Sequence, residues 1–97
     1  MLDLQQLQTF LKVVATKSFN AAARELGCSQ STVTFHIKAI EKELGVQLID
    51  RARFSRTLVL TEHGRAAYEQ AVKLLAMAEA VKEKVTHSTG PHELIPH

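Results

Sequence analysis

The 97 residues carry a formal net charge of +2 and one cysteine, Cys28. That length allows one domain with a modest core and leaves little room for a deep catalytic cleft. The single cysteine excludes an internal disulfide and reads as cytosolic. No run of about 18 apolar residues is available to span a membrane, and the start, Met1-Leu2-Asp3-Leu4-Gln5, lacks the basic and apolar regions of a signal peptide. The charge is uneven: nine Lys/Arg against six Asp/Glu up to Arg65 give +3, and three against four from Ala66 onward give −1. The basic excess therefore lies in the first two thirds of the chain.

Asp3 followed by Gln6 has the form of a capping box, and Leu4, Leu7, Phe10 or Leu11, and Val14 then keep helical spacing. This predicts a first helix to about Ala15 with a core-facing stripe. Ser18 is a second N-cap candidate, opening Phe19-Asn20-Ala21-Ala22-Ala23-Arg24-Glu25-Leu26, whose alanines admit a neighbouring helix at close range. Gly27 suits the left-handed residue that ends such a helix. Cys28, beside it in the tight turn, is expected to be a small packed thiol.

Ser29 caps the next helix, expected to run to Leu44 before Gly45. Val33, Ile37, Ile40 and Leu44 recur at steps of four, three and four, which gives one buried face. On the opposite side lie Ser31, Thr34, Phe35, Lys38 and Lys42. Short hydroxyls, two cations and an exposed aromatic suit the major groove of a duplex better than bare solvent. A short bracing helix, a Gly-containing turn and a longer helix with a polar outer face make a helix-turn-helix pattern.

Residues 46–51 and 57–60 are apolar and β-branched enough for two short strands. The connection between them carries Arg53 and Arg56, and with Arg51 forms a basic tip suited to phosphates or a minor groove. Such a hairpin after a helix-turn-helix is a wing. Thr61 caps a long helix from about Glu62 to about Thr86, in which Ala67, Ala71, Leu74, Ala78, Val81 and Val85 form an a/d seam. Tyr68, Val72 and Leu75 form an adjacent stripe. A small domain covers only one such stripe, so the seam is expected to be a homodimer surface. The fold class expected is mainly α: a winged helix-turn-helix with a two-stranded β wing over 1–61, a linker and dimerisation helix over 62–86, and a flexible tail over 87–97 that contains both prolines.

The order of these elements, and the segments Leu7-Gln8-Thr9-Phe10-Leu11, Ser18 to Leu26, Ser29 to Lys38, Ile40 to Arg51 and Leu60-Thr61-Glu62-His63-Gly64, resemble the N-terminal domain of the LysR-type transcriptional regulators. The resemblance runs from about Leu4 to Val85. It implies a cytoplasmic, nucleoid-associated bacterial regulator that binds double-stranded DNA at an interrupted palindrome as a homodimer, or as a tetramer of dimers in the full-length protein. It also implies a further effector-binding domain beyond this segment. Two positions depart from the family pattern: Ser31 stands where proline is common, and Phe35 where an arginine commonly reaches DNA. A phenylalanine offers only apolar contact, for which the thymine methyl is the obvious partner, so an A·T-rich half-site centre is expected.

Base contacts are accordingly expected from Gln30, Ser31, Thr34 and Phe35. Backbone contacts are expected from Arg24, Ser29, Thr32, His36, Lys38, Lys42, Arg51, Arg53 and Arg56. Most of these have a bland alternative: Phe35 folded back on its own helix or against the wing, His36 packed at the helix edge, Arg51 paired with Asp50 or a helix acid, and Gln30, Ser31, Thr34, Lys38, Lys42 and Arg24 simply solvated. No cofactor or metal is expected, and a lone histidine makes no metal site. A Gly-rich phosphate loop, paired carboxylates and a nucleophile with a positioned base are all missing from the sequence, which argues against an enzyme. The competing reading is a protein-interaction module whose basic surface is incidental; the two differ in whether DNA affinity falls steeply with salt.

Overall fold

The computed structural model describes residues 2–53 and 57–87. Four helices follow one another: α1 (Leu4–Thr16), α2 (Phe19–Leu26), α3 (Gln30–Leu44) and α4 (Glu62–Thr86). Every start is capped as the sequence predicts. The Asp3 carboxylate accepts from the Gln5 N–H, the Ser18 hydroxyl from Ala21, Ser29 from Thr32, and Thr61 from Gly64. The first three helices end in left-handed residues, Lys17, Gly27 and Gly45. At Lys17, with φ of 58°, a side chain occupies a conformation that glycine usually takes.

α1 is the central strut and packs against α2, α3 and α4. The core gathers there: Leu7, Phe10 and Val13 from α1, Ala22 and Ala23 from α2, and Val33, Ile37 and Ile40 from α3 are buried. Leu4 and Leu44 of the predicted stripes are instead exposed, and Val13, not Val14, fills the α1 face. Leu48, Ile49, Leu58 and Ala71 close the core from the other side, and Cys28 packs on its edge. The two central alanines let α2 approach its neighbours closely, so bulk comes from Phe10, Ile37 and Ile40.

The segment after α3 departs from expectation. Among the described residues no strand forms; one antiparallel bridge joins Ile49 to Leu60, with Asp50 N–H donating to Val59 at 2.8 Å and Thr61 N–H to Leu48 at 2.9 Å. The reason lies in side-chain direction. Leu48 and Ile49 are consecutive and both fully buried, whereas a strand sends neighbours to opposite faces. Side chains also satisfy backbone groups that a sheet would pair: the Glu41 carboxylate accepts the Leu48 N–H at 2.8 Å, and the Thr61 hydroxyl donates to the Gln47 carbonyl at 2.6 Å. Arg51–Arg53 then turn as a short 3-10 helix, its Ala52 N–H held by the Asp50 carboxylate. The expected basic tip at Arg56 and the tail from residue 88 lie outside the described residues.

α4 begins against this segment. Gly64 is buried, and a Cβ built on it would fall on the carbonyl oxygen of Leu48. Twenty-five residues make a helix about 37 Å long, longer than the domain is wide. Its first half lies along α1, and beyond Leu75 its apolar residues lose cover: Val81 is 58 % and Val85 67 % exposed. No helix among the described residues is long and apolar enough to cross a membrane.

Candidate nucleic-acid interface

The outward face of α3 is built by the same periodicity that buries Val33, Ile37 and Ile40. Gln30, Ser31, Phe35, Lys38 and Lys42 are exposed and Thr34 is half-buried, so these predicted residues form one strip along the helix. Phe35 is 66 % exposed and does not fold back into the domain. At the helix start the Ser29 hydroxyl lies 3.1 Å from that of Ser31 and 3.0 Å from that of Thr32, besides accepting the Thr32 N–H. Three hydroxyls thus gather where the free N–H groups of α3 make the local field positive.

Two grooves flank the strip. On one side Gln30, Thr34 and Lys38 join Lys17, Ser18, Phe19, Asn20 and Arg51 around an open cleft of about 430 Å³. Three cations border it, and the start of α2 faces into it. Lys17 and Asn20 escaped the sequence reading because they are distant in sequence from α3, and only the packing of α2 on α3 brings them alongside. The available signal was Lys17 immediately before the cap Ser18. On the other side Phe35, Lys38, Ala39 and Lys42 meet Gln6 and Glu43.

Other predicted residues have internal work. Arg51 grips Glu41 through two bonds, Nη1 to Oε2 at 3.2 Å and Nη2 to Oε1 at 3.1 Å, and Nη1 also donates to the Ile49 carbonyl at 3.0 Å. This is the structural pairing with a helix acid, made while Arg51 still borders the cleft. His36 is half-buried and its Nδ1 lies 2.8 Å from the Thr9 hydroxyl. With that hydroxyl donating to the Gln5 carbonyl at 3.1 Å, the imidazole is the donor at Nδ1, an assignment made from the hydrogen-bond network. Arg24 is exposed in the last turn of α2, beside the Lys12–Glu25 ion pair that ties α2 to α1. Arg53 ends the 3-10 turn.

The expected division of α4 into a dimer seam and a domain stripe does not hold over its first turns. Ala71 is 2 % exposed and packs within its own protomer, with Ala67 and Leu75 one turn to either side against the same core. The buried line is thus i, i+4, i+8, because α4 lies along α1; the exposed flanks carry Leu74 on one side and Tyr68 and Val72 on the other. Ala71 is therefore not a free surface, and Ala67 is half covered by its own domain. Leu74, Val81 and Val85 are exposed, and Met77, which the seam omitted, joins them. Among the described residues no group of His, Cys, Asp and Glu could hold a metal ion.

The profile of bacterial regulatory helix-turn-helix proteins of the LysR family matches residues 4–65. This chain belongs to the LysR family. A curated LysR-like relative, the HTH-type transcriptional regulator BudR of Klebsiella aerogenes, is 40 % identical over 83 residues, which cover 86 % of this chain and 57 % of that protein. The Corynebacterium glutamicum OxyR C206 mutant superposes with a TM-score of 0.81 at 32 % identity, over 93 % of this chain and 28 % of that one. The BenM_DBD/catB site 1 DNA complex superposes with a TM-score of 0.78 at 31 % identity, over 91 % of this chain and 99 % of that one. The chain spans about half of BudR and under a third of OxyR, and its LysR-type match takes in α1 to α3, the bridged segment and the first turn of α4.

Proposed function

We propose that this chain is the sequence-specific DNA-binding segment of a cytoplasmic LysR-type transcriptional regulator and binds double-stranded DNA at an interrupted palindrome as a homodimer. The observation that carries the reading is the strip on α3, polar and cationic on a helix whose other face is locked in the core. The BudR relative is a transcriptional regulator, and a structural neighbour that this chain covers almost end to end was crystallised with DNA.

In this reading α3 enters the major groove, where Gln30, Ser31, Thr34 and Phe35 meet base edges. Ser29, Thr32, His36, Lys38, Lys42 and Arg24 hold phosphates, and Lys17 and Asn20 join them from the cleft wall. The basic residues Arg51, Arg53 and Arg56 of segment 48–60 act as the wing on the backbone or minor groove, Arg51 while paired with Glu41. Residues 1–61 serve as the reading domain, and 62–86 link and dimerise through Leu74, Met77, Ala78, Val81 and Val85.

Selection of bound duplexes from a random pool, repeated at two salt concentrations, tests this. Neutralising about six phosphates makes affinity fall on the order of a thousandfold between 50 and 200 mM salt. The enriched sequences should contain two half-sites at fixed spacing. Failure to enrich any sequence, or affinity indifferent to salt, would refute the reading.

A further inference from the structure

We propose that Phe35 is a preset reader of the C5-methyl group of a major-groove pyrimidine. It lets the protein tell thymine from uracil, and 5-methylcytosine from cytosine, at one position of each half-site. The proposal rests on the DNA-binding reading above and adds the chemistry that α3 recognises.

At 66 % exposure, Phe35 is the most exposed large hydrophobic residue described on the domain outside α4. A phenyl ring has no hydrogen-bonding group, so the donor and acceptor code of the base edges is invisible to it. The apolar feature of the major groove is the methyl at pyrimidine C5. Lys38 and Lys42 share the groove beside the ring with Gln6 and one acid, Glu43, so cations outnumber acids there. Cations flanking a lone aromatic complement a methyl-bearing base edge between phosphates; an apolar protein partner would leave those charges to be desolvated.

The ring also has an aromatic neighbour. Its centroid lies 6.1 Å from that of His36 at an interplanar angle of 55°, within the range of favourable tilted aromatic pairs. His36 in turn is tied by Nδ1 to the hydroxyl of Thr9, which is 2 % exposed on α1. The exposed ring thus has an aromatic neighbour that is itself held to the core strut, which favours some of its orientations over others.

The test uses the half-site duplex obtained by selection. Each thymine is replaced singly by deoxyuridine and each cytosine by 5-methylcytosine, and binding of wild type and Phe35→Ala is measured by fluorescence anisotropy. Wild type should lose about fourfold per half-site at one thymine position, the factor for one buried methyl group. With cytosine at that position, 5-methylation should restore about the same factor. Phe35→Ala should show both ratios near one, with an unchanged salt slope and an unchanged melting curve, since the ring is exposed. Wild-type ratios of one at every position, or ratios kept by Phe35→Ala, overturn the proposal while sequence-selective, salt-dependent binding leaves the DNA-binding reading standing. Absence of any selective binding overturns both. If Phe35→Ala fails to fold, the wild-type uracil and 5-methylcytosine panels still decide.

Discussion

Gly64→Ala places a methyl group where α4 meets the backbone of the bridged segment. In an open helix interior the change stabilises by about 1 kcal/mol, because alanine loses less backbone freedom on folding. Here the new Cβ would fall on the carbonyl oxygen of Leu48 and lie 3.0 Å from its carbonyl carbon and 3.3 Å from its Cα. These are backbone atoms and cannot rotate aside. Leu48 is itself fixed: its side chain is fully buried, its N–H is held by Glu41 and its carbonyl by the Thr61 N–H. Relief therefore requires the first turn of α4 to move. Overpacking costs about 1–3 kcal/mol, and with a rigid backbone as the obstacle the upper end applies. Against the helical gain of about 1 kcal/mol, a net loss of about 2 kcal/mol is expected. For a domain of this size that lowers Tm by roughly 8–16 °C, measurable by far-UV circular dichroism and by urea midpoint. Gly45→Ala is the control: there the space is open and φ is +73°, so only the left-handed backbone is penalised, by about 1 kcal/mol. A Gly64→Ala variant that melts at or above wild type would refute the reasoning.

Glu41→Ala removes the partner of both the Leu48 N–H and the Arg51 guanidinium, and should cost about 2 kcal/mol in urea unfolding. Arg51→Ala loses the partly exposed pair and the bond to the Ile49 carbonyl but leaves the Leu48 N–H paired, and should cost about 1 kcal/mol; equal losses would place the energy in the Arg51 contacts instead. Lys17→Ala and Lys38→Ala should each weaken binding to all duplexes alike and reduce the salt slope by about one, as read by titration at several salt concentrations. Val81→Asp should shift sedimentation toward monomer without changing the melt of the domain. Ala71→Asp should unfold it, because that position is buried within the protomer; a folded Ala71→Asp monomer would restore the seam as first drawn.

The helices and their caps were legible in the sequence because their causes are local: Asp3, Ser18, Ser29 and Thr61 each bond a backbone N–H two or three residues on. The strip on α3 was legible for the same reason, since burying Val33, Ile37 and Ile40 fixes where Thr34, Phe35 and Lys38 point. What escaped is set at a distance. The wing strands were misjudged because Glu41, seven residues before Leu48, takes the N–H that a strand partner would have used. The first members of the α4 seam depart from expectation because α1 decides which stripe of α4 it covers, and heptad spacing alone does not say which. Lys17 comes beside the strip only through the packing of α2 on α3.

Considered as a mechanical linkage, the described part of the junction between α3 and α4 is fastened at several points. Glu41 fastens the last turns of α3 to Leu48 and Arg51, the Leu48 carbonyl fastens Thr61, and the Thr61 hydroxyl reaches back to Gln47 while capping Gly64. Among the described residues, these bonds tie the end of α3 directly to the start of α4. A displacement of about 5 Å at the far end of an arm about 37 Å long is a tilt of roughly 8°. With Gly64 seated on Leu48 and these fastenings in place, such a tilt is expected to pass into α3 through Thr61, Leu48 and Glu41.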